Sequence, residues 1–347
     1  MSLGATLPEF VSSCWDLQPS KLKVALGGGG VCFLLTIAVV LVHRRELLAE
    51  PISMRRAYYM RIAYTPVVFA ATAYLALWSP SSILLSATLQ KFYEALTLST
   101  FGMLLFLLLW AESQAALAPG SEESKAEVVV RALAMQGPRS HWSAPPLGCC
   151  FRPCLPEHDL SVRSLSTMFL LVRQFVLLTP AVGILGMVFL TAFQLDWLAR
   201  ALWYMKMALL TSSLLCLYGL FVTYWSTHDL LHRWNTTSKF VAIKVVLVVM
   251  AYQEFLLEHV GPRILKDRNS CFKSAGFHVL EWEAVECRYW SMFLLTIEMM
   301  FMALALRRAF PAKELRQPIQ EVHHAFLDME LTRAKQDEGL EEALIKA

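Results

Sequence analysis

Of 347 residues, 56% are hydrophobic and only 17% charged, with a mean hydropathy of +0.47. A soluble chain carries about 25% charged residues, which excludes a large water-soluble domain. The net charge of +3 is too small to imply a nucleic-acid partner.

Crossing a hydrocarbon core about 30 Å thick takes roughly 20 helical residues. Apolar runs of this kind fall at 25–43, 59–78, 83–110, 166–190, 200–225, 240–260 and 289–306. The expected fold is therefore all-α: a polytopic membrane protein with seven transmembrane helices. Residues 1–24 are polar and mixed, with Lys21 and Lys23 before the first span and no clear cleavage site. That span reads as a retained helix rather than a signal peptide. Residues 25–310 form the membrane domain, with a loop at 111–165, and 311–347 form a tail.

Basic residues in short loops mark the cytoplasmic side. Arg44, Arg45, Arg55 and Arg56 lie in the first loop, Lys125, Arg131, Arg139, Arg152 and Arg163 in the third, Arg233 and Lys239 in the fifth. Arg307 and Arg308 open the tail. The second and fourth loops hold almost none. The sixth, with Arg263, Lys266, Arg268, Lys273 and Arg288, dissents. The majority places the N-terminus outside, so residues 1–24 are extracellular and the tail is cytosolic.

This topology sorts the cysteines. Cys271 and Cys287 share an oxidising loop and are placed to form a disulfide. Cys14 is left over outside, whereas Cys149, Cys150 and Cys154 face the reducing cytosol. Their C-C-x-x-x-C spacing departs from the paired C-x-x-C of zinc sites, although His141 or His158 would supply a fourth ligand. S-palmitoylation of these juxtamembrane cysteines is therefore the expected role, with inert thiols as the remaining alternative. Cys32 and Cys216, inside spans, read as small apolar fillers.

In the third loop, "APGSEESKAEVVVRALAMQG" reads as a turn and a short amphipathic helix, and "GPRSHWSAPPLGCCFRPCLP" as irregular chain. The tail segment 319–345 has apolar residues at helical spacing among charges, suited to a membrane surface or a protein partner. No internal repeat is evident. Gly27 to Gly30 lack the Lys-Ser/Thr of a phosphate loop and read as a site of close helix packing. Trp78, Trp110, Trp197, Trp203 and Trp225 fall near span ends and read as interfacial belts.

Five segments carry a resemblance: "PISMRRAYYMRIAYTP" with Pro51, Arg56, Arg61 and Pro66; "FYEAL" around Tyr93, Glu94 and Ala95; "RQFVLLTP"; "ALLTSSLLCLYGLFVTY"; and "SKFVAIKVVLVVMAYQ" with Lys239, Phe240, Lys244 and Gln253. In order and spacing they resemble the organic solute transporter alpha-subunit family, which includes the transmembrane-protein-184 group. "GCCFRPCLP" resembles a shortened form of the transporter branch's cysteine cluster. The resemblance implies seven spans with the N-terminus outside. It also implies facilitated diffusion of bile acids, conjugated steroids and similar amphipaths, alongside a single-span beta subunit.

Ionisable groups inside spans are functional candidates by default. Glu94 lies near the middle of the third span, with Lys91 and Thr97 one turn to either side. Lys244 sits one turn into the sixth, where Glu254 and Glu258 share a side and Gln253 points away. Arg173, Lys206 and Glu298 complete the set. An amphipathic anion needs a cation for its carboxylate or sulfate and an apolar wall for its body; Lys244 and Arg173 are the best cations. The alternative is that these groups pair and fix helix packing, or snorkel.

"HDLLH" puts His228 and His232 four apart around Asp229, resembling the H-E-x-x-H zincin pattern without a third ligand. The plainer reading is a polar cytosolic end to the fifth span. No resident metal or cofactor is expected, and no enzymatic activity. The third span ends in "LWAES" without an Asp/Glu-Arg-Tyr triplet and no Asn-Pro-x-x-Tyr closes the seventh, which disfavours a signalling receptor.

The expected function is facilitated transport of amphipathic organic solutes across a plasma or endosomal membrane. Its partners are membrane lipids, an amphipathic organic anion and a single-span beta-type subunit or a second copy. The rival is a non-transporting scaffold, receptor or trafficking protein.

Overall fold

The computed structural model describes residues 19–79, 82–116, 125–135, 161–192, 198–244 and 282–317. Its elements are α1 (Pro19–Leu48), α2 (Met54–Ala63), α3 (Thr65–Trp78), α4 (Ile83–Ala116), α5 (Lys125–Ala134), α6 (Val162–Ala192), α7 (Leu198–Thr227), α8 (236–244) and α9 (Trp282–Ala309). Short 3-10 turns lie at His232–Trp234 and Ala312–Arg316. No strand occurs among the described residues. Long apolar helices are the expected outcome, because backbone polar groups in lipid must be satisfied within their own segment.

Six helices are long and apolar enough to cross a membrane: Lys23–Leu48, Met54–Trp78, Leu85–Gln114, Val162–Gly186, Met207–Thr227 and Tyr289–Arg316. They overlap six of the seven predicted spans. Of the remaining one, 240–260, the first five residues belong to α8 and the rest lie outside the described residues. The second span is broken between α2 and α3. Pro66, near the N-terminus of α3, has no N–H to give and its ring crowds the carbonyl one turn back.

The chain divides into two compact units. The first comprises Met1–Glu50, Tyr59–Tyr93 and Val241–Ala312; the second comprises Pro51–Tyr58, Glu94–Phe240 and Lys313–Ala347.

In the first unit α1, α3 and α9 pack against one another. Val40, Leu47, Phe69, Ala73, Met299 and Ala303 fill its interior. The glycine run lets α1 approach closely. A methyl on Gly29 would stand 3.0 Å from Leu77 Cδ1, and one on Gly30 3.1 Å from the Tyr74 hydroxyl, whereas Gly27 faces open space. Below, His43 Nε2 meets the Phe310 carbonyl at 2.9 Å, and Arg307 grips Glu46 through two nitrogens at 2.5 and 3.2 Å. Gln90 Nε2 donates to Thr72 Oγ1 at 3.1 Å.

In the second unit α6 and α7 pack along each other. Gly219 is their point of contact: a methyl there would lie 2.8 Å from Leu171 Cβ and 3.0 Å from the Met168 carbonyl oxygen. Phe106 of α4 meets Phe169 of α6 edge-on at 5.4 Å. The predicted amphipathic helix is α5, which packs on α6 and buries Val128, Val129, Ala132 and Leu133.

Large apolar side chains remain exposed along the spanning helices, among them Val31 and Leu34 of α1, Leu177 and Ile184 of α6, Leu214 of α7 and Phe301 of α9. In water so much exposed apolar surface would be a liability, whereas in a bilayer it is the lipid-facing surface. The predicted aromatic belt divides. Trp78 and Trp225 are more than half exposed near helix ends, but Trp110 is a buried core residue of the second unit. Trp197 lies outside the described residues, as does the Trp203 side chain.

Candidate functional site

The second unit gathers charge at one end of its helices. Ser53 caps α2, its hydroxyl accepting from the Arg56 N–H at 3.0 Å, and so fixes the first turn that carries Arg55. Past α7 the chain tightens into the 3-10 turn His232–Trp234. Asn235 follows in the left-handed conformation at φ 48°, which Asn tolerates better than most residues. That reversal starts α8 and points Trp234 and Lys239 inward, at 3% and 0% exposure. Phe240 is stacked on Tyr224 with ring centroids 4.5 Å apart, which anchors α8 against the end of α7.

Lys239, with no surface in contact with solvent, gives its ammonium to the Trp234 carbonyl oxygen and to Glu314 Oε2, the latter at 2.6 Å. Glu314 belongs to the 3-10 turn Ala312–Arg316. Arg55, 2% exposed, donates to the carbonyls of Leu315 at 2.9 Å and Gln317 at 2.8 Å, and its guanidinium lies 5.2 Å from the Trp234 ring centroid. The Trp234 indole N–H donates to Glu112 Oε1 at 2.6 Å. Lys239 stands just before the predicted sixth span. Burial pulls its ammonium below the usual lysine range, and Glu314 pushes back by charge and hydrogen bond. Two cations, two carboxylates and an indole thus clamp the turn that follows α9. Sequence reasoning noted Arg55 and Lys239 only as loop charges and Lys239 as part of a motif; it missed Glu112, Trp234 and Glu314 in this role.

Farther along the same unit, buried polar groups lie within the spans. Glu94 of α4 is 5% exposed, Thr97 stands on the same face at 8%, and Cys216 of α7 is fully buried. Most helical threonines here return their hydroxyl to a carbonyl four residues back, as Thr100, Thr223 and Thr227 do. Thr179 and Ser212 do not: both are 3% exposed and their hydroxyls lack a protein partner among the described residues, as does Gln174 Nε2. Pro180 follows Thr179 inside α6 and supplies no N–H to the Val176 carbonyl.

The other predicted site residues are dispersed. Arg173 is on an exposed face of α6, and Lys206 is in α7 with its side chain outside the described residues. Lys244, half-buried at the end of α8, and Glu298, half-buried in α9, belong to the first unit. Glu298 Oε2 has no partner among the described residues. Gln253, Glu254, Cys149, Cys150, Cys154 and Cys271 lie outside the described residues; Cys287 is in α9 with its side chain not described. Cys216 is a buried free thiol and Cys32 a half-buried one.

The two histidines of "HDLLH" do not share a helical face. α7 ends at Thr227, so His228 starts a turn and His232 opens the 3-10 turn, with ring centroids 6.1 Å apart. His228 Nδ1 contacts Asp229 Oδ1 at 3.1 Å, and no group of metal-ligand side chains forms among the described residues.

Comparison with curated proteins finds no match, and comparison with solved structures finds none. One family model, described as "Organic solute transporter Ostalpha", matches residues 25–315. The matched stretch runs from the first apolar helix to the turn that holds Glu314 and Leu315. With six apolar helices inside it, the chain is a multi-pass membrane protein, and it belongs to the organic solute transporter alpha family.

Proposed function

We propose that the protein carries amphipathic organic anions, of the bile-acid or steroid-conjugate kind, across a membrane by facilitated diffusion. The family match over 25–315 carries this reading. Buried polar groups support it: Glu94, Thr179, Ser212 and Gln174 Nε2 lie on apolar helices, and the last three lack a hydrogen-bond partner among the described residues. An unsatisfied polar group in hydrocarbon costs several kcal/mol, about the scale that a passing solute's hydroxyls or a water would relieve. Lys244 is the proposed cation for the anionic head, and Arg173, Lys206, Gln253, Glu254 and Glu298 are the further polar residues proposed to serve transport. A downhill carrier needs no bond chemistry.

In this reading seven helices span the membrane, α8 continuing through 240–260, with the N-terminus outside and the tail cytosolic. Palmitoylation at Cys149, Cys150 and Cys154 holds the third loop at the bilayer, and a Cys271–Cys287 disulfide staples the outer loop. A single-span subunit or a second copy completes the carrier, in the plasma or an endosomal membrane.

Uptake of labelled steroid sulfate and taurine-conjugated bile acid into cells tests this, with and without single-span partners. Saturable uptake is expected, and Lys244→Ala should abolish it with surface abundance unchanged. Full uptake by Lys244→Ala would remove the lysine from the path. No uptake under any pairing, with protein at the surface, would favour a scaffold.

A further inference from the structure

The clamp at the end of the second unit has an unusual composition for a purely structural joint. Lys239 is wholly buried, and one strong partner is a carboxylate that arrives on a five-residue 3-10 turn. Arg55 donates to the Leu315 carbonyl within that turn and to the Gln317 carbonyl just after it, and Trp234 presents an aromatic face to that guanidinium. With the turn withdrawn, Lys239 would lose its carboxylate and Arg55 its backbone carbonyls; two buried cations beside an indole are recognition elements for the head of an anionic amphipath.

We propose that Lys239, Arg55 and Trp234 form an oxyanion site that Glu314 fills from within, so that the turn Ala312–Arg316 is a strap which an anionic amphipath displaces. The ligand class is a carboxylate, sulfonate or phosphate head on an apolar body. A lipid headgroup and a transported anion share that chemistry. The site is separate from the intramembrane groups assigned to translocation and stands whether or not the protein carries solute.

The strap's own sequence supplies a readout. Lys313 and Arg316 flank Glu314, are exposed, and are trypsin sites in a turn anchored by the buried Leu315. While the strap is seated the backbone there resists cleavage; displacement frees it. A ligand at about ten times its Kd for the open state raises the open population, and with it the cleavage rate, about tenfold.

The experiment uses the full-length protein in nanodiscs of phosphatidylcholine alone, with phosphatidylserine, or with taurine-conjugated bile acid added. Faster cleavage at Lys313 and Arg316 is expected with phosphatidylserine or with the bile acid. Acceleration by the lipid alone assigns a headgroup site, and by the bile acid alone a solute site. In parallel, Glu314→Gln should gain more Tm from the effective anion than wild type does, and that extra gain should vanish in Lys239→Met/Glu314→Gln. Should Glu314→Gln fail to fold, wild-type cleavage decides. Cleavage indifferent to both anions, or an equal Tm gain in all three proteins, would overturn the proposal.

Discussion

Lys239 shows what a single residue contributes here and why its role hides in the sequence. A lysine in water-facing loop chemistry looks the same on paper as one buried between Trp234 and Glu314, because the partner that decides lies 75 residues away. Breaking a buried pair from one side leaves an uncompensated charge and costs about 3–5 kcal/mol. Lys239→Ala and Glu314→Ala should each lower the Tm of purified protein sharply. Lys239→Met/Glu314→Gln should recover much of the loss, since no charge remains buried. A double variant as unstable as the sum of the singles would mean that the two side chains act independently. The intramembrane residues were more legible. Glu94 was singled out because a carboxylate in an apolar run is costly anywhere, and the structure buries it. Thr179 and Ser212 left no such trace, since threonine and serine in helices usually satisfy themselves on their own backbone.

For whole elements, hydropathy was the strongest signal and helix contacts the weakest. Long apolar runs announce helices whatever they pack against, so six predicted spans reappear as apolar helices, although their ends shift by up to ten residues. The helix α5 is also readable, from its amphipathic spacing, whereas the break before Pro66 falls inside a run, 59–78, that reads as one continuous span. Which glycine matters was not. The run Gly27 to Gly30 reads as one packing feature in sequence, yet Gly28, Gly29 and Gly30 meet neighbours and Gly27 does not. Gly219 drew no notice, because its importance depends on Leu171 and Met168 of another helix. Overpacking a close contact costs about 1–3 kcal/mol or more. Gly219→Leu should therefore reduce Tm and folded yield, and Gly29→Val should do so less severely. Gly27→Ala, facing open space, should leave both unchanged; equal losses at all three positions would refute the helix contacts described.

At the scale of the whole molecule the sequence is explicit about membrane residence and indirect about orientation, which rests on a bias of basic loops that the sixth loop opposes. The sequon Asn235-Thr236-Thr237 tests the orientation. With that loop cytosolic, the protein should migrate identically before and after glycosidase treatment, whereas a sequon engineered into residues 1–24 should acquire sugar. Sugar on Asn235 would invert the topology. The function itself is tested most directly by solute flux through purified protein in liposomes, with its single-span partner if one is required. A downhill carrier should equilibrate labelled steroid sulfate without added energy, saturate, and show counterflow when unlabelled solute is preloaded. Liposomes that hold folded protein with every candidate partner and still equilibrate no faster than empty ones would show that it is not a carrier.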